Sequence, residues 1–105
     1  MEIKDMQKEV DDWISQFEEG YWQPLSMLAR MTEEVGELAR EINHHYGEKT
    51  KKPTEEEGDI AMELADILFI ITCFANSMNI DLETAFCRMM DKYRQRDSNR
   101  WTRKK

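Results

Sequence analysis

Glu34 and Glu37, and further along Glu63 and Asp66, stand as two acidic pairs with members three residues apart. On a helix this spacing puts both carboxylates of a pair on one side, a turn apart, where their oxygens can share a hard cation. All-oxygen ligand sets select magnesium, manganese or calcium over zinc. Neither segment places a histidine one turn after its glutamate, as the di-iron carboxylate bundles require.

The helical wheel sorts the acids further. Glu34 lies on the flank of an apolar stripe formed by Leu28, Met31, Val35, Leu38 and Ile42, whereas Glu33 points away from it into solvent. Glu41 continues the flank beyond Glu37 and is expected to be a solvent-facing glutamate rather than an accessory acid of the group. Glu63 and Asp66 share a face with Ile67, Ile70 and Phe74. Carboxylates on an apolar face are paired, protonated or metal-bound, because burying an unpaired one costs several kcal/mol. Salt bridges to Arg30 or Arg40 would satisfy one pair. Two pairs on adjacent helices repel one another more than two arginines can offset, which favours a divalent metal.

The elements that must position these acids are helices. Gly20, Pro24, Gly36, Gly47, Pro53 and Gly58 are all the glycine and proline in the chain, and they punctuate four apolar-periodic stretches. The first is expected from Ile3 to Glu18, followed by a turn over Glu19 to Pro24. The second starts near Leu25 or Ser26 and runs to His45 or Tyr46, with Gly47 as its stop. Gly36 inside it costs about 1 kcal/mol relative to alanine, which points to a close approach by a backbone, ligand or side chain. A polar segment, Glu48 to Glu57, is expected to be mobile. The third helix spans Gly58 to Met78, and Ile67 to Ala75 within it is apolar nearly all round, as burial on several sides demands. Asp81 caps a fourth, from Leu82 to about Arg96. The expected fold is all-α, with the two acid-bearing helices long and antiparallel in a single domain over residues 1–105. Residues 97–105 form a basic tail that docks or frays.

Composition narrows the class. Of 105 residues, 40% are hydrophobic and 35% charged, which fits a globular protein and excludes a disordered chain. A domain this short buries a limited share of its surface alone, so self-association is expected. The net charge of -7 opposes general nucleic-acid binding, although eight of the fifteen Lys and Arg lie between Arg88 and Lys105. Cys73 and Cys87 lack metal-ligand spacing and are expected to be free, buried thiols. His44 and His45, at a helix end, are expected to be exposed. Met1 to Lys8 has no apolar signal core, and the charge-free run Ile67 to Ile80 is shorter than the roughly 18 residues a membrane span needs. The expected location is the cytoplasm.

Glu34-Val35-Gly36-Glu37, then 25 residues, then Glu63-Leu64-Ala65-Asp66, resembles the Glu-x-x-Glu and Glu-x-x-Asp signature of the MazG-type nucleoside triphosphate pyrophosphohydrolases. Flanking residues agree, including Tyr21-Trp22, Pro24-Leu25, Asn79-Ile80-Asp81-Leu82, Tyr93 and Arg96, so the likeness spans roughly Trp22 to Arg96. The resemblance implies that the motif helices assemble with a second subunit as a bundle, in a homodimer or homotetramer. It also implies hydrolysis of a nucleoside triphosphate between the α- and β-phosphates, giving monophosphate and pyrophosphate, in nucleotide-pool housecleaning. Glu34, Glu37, Glu63 and Asp66 look like the ligands of Mg2+, with Mn2+ as an alternative, and Glu34 or Glu37 is the candidate general base.

Relatives commonly carry a phosphate-binding lysine four residues before the position of Tyr93, where this chain has Met89. Lys92 and Arg96, beside Tyr93, either replace it or are solvent-facing cations near a helix C-terminus, and Trp22 is either the residue that stacks on the base or a core anchor. Two other classes compete: a non-catalytic metal-binding helical partner module, which would explain the apolar stripes and self-association, and a basic-tailed nucleic-acid binder, whose acidic body would repel the backbone.

Overall fold

The computed structural model describes residues 1–48 and 58–105. Among them are four helices and no strand: α1 (Ile3–Ile14), α2 (Pro24–Tyr46), α3 (Ile60–Ser77) and α4 (Leu82–Asp97). The segment expected to be mobile, Glu48 to Glu57, lies outside the described residues apart from Glu48.

α1 begins where the Asp5 carboxylate accepts the orphan Glu2 N–H at 2.8 Å. It ends at Ile14, a turn earlier than expected. The chain leaves the helix through Gly20, whose φ of 60° suits glycine, and Trp13 and Phe17 meet edge to face across the exit at 5.1 Å. Pro24 opens α2 as its first residue, where its missing N–H removes no helical bond. Asp59 caps α3 by accepting from Ala61 N–H at 2.9 Å. Asp81 caps α4 by accepting from Glu83 N–H at 3.1 Å, as its sequence position predicts.

α2 and α3 form the principal pair, α1 packs on α3, and α4 rests on α1. The pair is antiparallel: Glu41 lies against Gly58, Glu34 faces Glu63 and Asp66, and Arg30 shares a cavity wall with Cys73. The apolar core is small, with Met27, Ile70, Cys73 and Ala75 its buried members. Leu64, Leu68 and Ile71 leave the outer face of α3 open, so its all-round apolarity is only partly used within one chain. The Cα radius of gyration is 17.7 Å, against about 13 Å for a compact domain of this length. α3 also has the length and apolarity to cross a membrane, yet it packs on α1 and α2 and turns Glu63 toward Glu34.

Three expectations change. Gly36 is exposed, and a Cβ there would meet nothing within 4 Å in this chain. Cys73 is buried but Cys87 is exposed. His44 is half-buried rather than exposed, because it faces inward near the end of α2 while His45 faces out.

Candidate metal centre

Carboxylate oxygens of Glu34, Glu63 and Asp66 lie within 4.8 Å of one another, and all three residues are half-buried. The i, i+3 spacing on α3 aligns Glu63 and Asp66, and the antiparallel packing brings Glu34 of α2 across from them. Metal–oxygen distances of 2.0–2.6 Å place opposite ligands of one hard cation about 4 to 5 Å apart, so this donor set fits magnesium, manganese or calcium with small adjustment. Glu37, the fourth predicted ligand, is exposed and outside the converging group, though close enough for its charge to act on Glu63. Glu33 is exposed as expected.

Repulsion in the cluster appears in the Glu63 carboxyl, which is held above the usual range by partial burial first, and then by the charges of Asp66, Glu34, Glu37 and Glu41. Glu41 corrects an expectation. Its residue exposure is 7%, because the wheel position that seemed solvated is covered by the chain just ahead of α3, where a Cβ on Gly58 would overlap its carboxylate. Its carboxylate also lies 3.7 Å from His45 Nε2. Glu41 and His44 do have Glu-x-x-His spacing, but His44 is not in the converging group.

Arg30 does not go to α3. Its Nε donates to Glu34 Oε1 at 3.1 Å, one turn along α2, while its guanidinium carbon sits 5.7 Å from the centre of the Trp22 ring. Trp22 is 52% exposed, so it is no core anchor. With Trp13, Tyr21, Arg30, Phe69 and Cys73 it lines a cavity of about 310 Å³ beside the acids.

Tyr21, in the wall of that cavity, is held by a network that sequence spacing did not disclose. Tyr21 Oη donates to Asp11 at 2.6 Å and accepts from Asn76 Nδ2 at 3.0 Å. Gln7 Nε2 donates to Asn76 Oδ1, and Gln7 Oε1 accepts from Leu82 N–H, each at 2.9 Å. Separations of 55 and 69 residues join these partners, so only the fold brings them together.

The family profile of the MazG nucleotide pyrophosphohydrolase domain matches residues 22–101. The chain belongs to that family. The uncharacterised protein YpjD of Bacillus subtilis (strain 168) is 57% identical over 102 residues, 97% of this chain and 92% of its own length. The crystal structure of the putative pyrophosphatase YpjD from Bacillus subtilis superposes with a TM-score of 0.80 at 55% identity, covering 89% of this chain and 95% of that one. The crystal structure of the Bacillus-conserved MazG protein, a nucleotide pyrophosphohydrolase, gives 0.79 at 57% identity, covering 92% and 94%.

This MazG chain is therefore a nucleotide pyrophosphohydrolase with the all-α fold of its relatives, not a non-catalytic partner module. Its expected phosphate-binding residues stand apart from the acids. Lys92, Tyr93 and Arg96 are exposed on α4, which packs chiefly on α1. Lys92 and Arg96 lie 5.7 Å and 5.5 Å from the Tyr93 ring centre, and Arg96 also forks onto Asp97 at 3.0–3.2 Å. Met89 is likewise exposed on α4.

Proposed function

We propose that this MazG domain hydrolyses nucleoside or deoxynucleoside triphosphates, with Mg2+, to monophosphate and pyrophosphate, as a cytoplasmic housecleaning enzyme. The observation that carries this reading is the convergence of Glu34, Glu63 and Asp66 oxygens to within 4.8 Å. A divalent cation bound there would offset substrate charge and lower the pKa of the attacking water. Glu34, Glu63 and Asp66 hold it, with Glu37 as a fourth ligand or as the base that takes the water proton. Mn2+ suits the same oxygens.

Trp22 stacks on the base, and the cavity walls Trp13, Phe69 and Cys73 exclude water around it. Lys92, Tyr93 and Arg96 grip the phosphates in place of the lysine missing at Met89. Because α4 rests on α1 rather than on the acids, a second copy of the chain delivers these residues to the centre. The open α3 face supports that assembly: only 22% of this long apolar helix is buried in the single chain. We read residues 1–105 as one domain acting as a homodimer or homotetramer.

The deciding experiment is a panel of ribo- and deoxynucleoside triphosphates incubated with the full chain, with Mg2+ or with a chelator, and products resolved by chromatography. Monophosphate and pyrophosphate in equal amounts, only with the metal, are expected. Diphosphate plus inorganic phosphate, or no turnover of any triphosphate, would overturn the proposal.

A further inference from the structure

Arg30 belongs to both halves of the site. It binds Glu34 at 3.1 Å, covers Trp22 at 5.7 Å and lines the aromatic cavity. The Glu34 side chain is 14% exposed and that of Arg30 39%, so the pair is shielded on the Glu34 side and open to solvent on the other. Its field reaches across the cavity: burial pushes the Cys73 thiol up, and Arg30 draws it back down. A guanidinium has five N–H donors in a rigid fork, and Glu34 takes the one on Nε.

Two ligands would compete with Arg30 at opposite ends. A cation among Glu34, Glu63 and Asp66 repels the guanidinium and shares its carboxylate. A ring stacking on Trp22 competes for the indole face that Arg30 covers. Resting on the reading of this cavity as the base site, we propose that Arg30 is a positioning residue coupling the two: a base on Trp22 displaces the guanidinium, releases Glu34 and tightens cation binding. Coupling of this kind is reciprocal, so the cation also tightens the base. The centre is then fully armed only for a polyphosphate that carries a base, and pyrophosphate alone binds a less competent site.

The test uses nucleosides without phosphate, so that no metal–phosphate bond contributes and any coupling travels through the protein. Mn2+ affinity is measured by electron paramagnetic resonance on the full chain, with and without each deoxynucleoside, and nucleoside binding is followed by saturation-transfer NMR. In the wild type, a nucleoside that binds is expected to raise Mn2+ affinity about fivefold or more. Arg30→Gln is expected to bind Mn2+ more tightly without nucleoside and to lose the coupling. Arg30→Lys keeps the charge but not the planar fork, so it should weaken the coupling while guarding against a fold defect in the first variant.

Nucleoside binding with unchanged Mn2+ affinity in the wild type, or coupling of full size in both variants, would overturn the role of Arg30 and leave the base site standing. If no nucleoside binds, the base-site reading falls and the coupling falls with it.

Discussion

Glu63 on α3 and Glu34 on α2 bring carboxylate oxygens within 4.8 Å of one another, with Asp66 completing the group. Like charges this close destabilise the metal-free fold and favour a cation. Glu63→Gln is therefore expected to raise the melting temperature in chelator and to abolish stabilisation by Mg2+. In the wild type, Mg2+ at a hundred times its Kd adds about 2.7 kcal/mol, several degrees in Tm for a domain of this size. Alanine at Glu63 or Asp66 is expected to end Mg2+-dependent pyrophosphate release while circular dichroism stays helical. Full activity in either variant would remove the metal centre from the mechanism.

Trp22 is half exposed, and on the proposed reading it holds the base and not the fold. Base–aromatic stacking contributes about 1–3 kcal/mol, so Trp22→Ala should raise KM roughly tenfold with little change in Tm. A large drop in Tm without a change in KM would make Trp22 structural. Steady-state kinetics on the best substrate of the panel, beside a thermal melt, separates the two.

Gly58 is expected to resist substitution because its Cα faces the buried carboxylate of Glu41. Gly58→Ala must push that group aside, and because the clash is with the far end of a flexible side chain the cost is expected at the low end of overpacking, about 1 kcal/mol. Urea denaturation of the two proteins measures the difference. A variant as stable as the wild type would mean that Glu41 moves freely.

Burial, and then the hydrogen bond to Asp11, push the Tyr21 hydroxyl up to about 12 from its ordinary 10.0, while the Asn76 amide pulls the other way. A group whose folded pKa is raised contributes stability that is complete below its unfolded pKa and is lost as pH rises through the folded one. Compared with Tyr21→Phe, the wild type should keep an advantage of about 1 kcal/mol up to pH 10 and lose it toward pH 12. Denaturation midpoints across that range test this, and a constant difference would exclude the titration.

Leu68 and Ile71 lie exposed on α3. On the proposed assembly a charge there blocks the second copy, so Leu68→Glu or Ile71→Glu is expected to sediment as a 12.6 kDa monomer with reduced activity and Tm. Unchanged mass in both would move the interface elsewhere.

The helices and the two acidic pairs were legible in the chain itself. Apolar residues recur at helical spacing, glycine and proline stand between the stretches, and acids at i, i+3 share a side wherever the backbone is helical. The resemblance to MazG enzymes rests on the same local text. Helix ends were less legible, as the early stop of α1 at Ile14 illustrates, because side-chain contacts such as that of Trp13 and Phe17 settle them.

Tertiary structure alone decided which neighbour each charged group has. Glu41 looked solvated on its own helix and is buried because the chain just ahead of a second helix covers it. Tyr21 and Asn76 meet across 55 residues that carry no spacing signal. Periodicity assigns a residue to a face of its own helix. What that face meets depends on how the helices pack, and packing is a property of the whole chain.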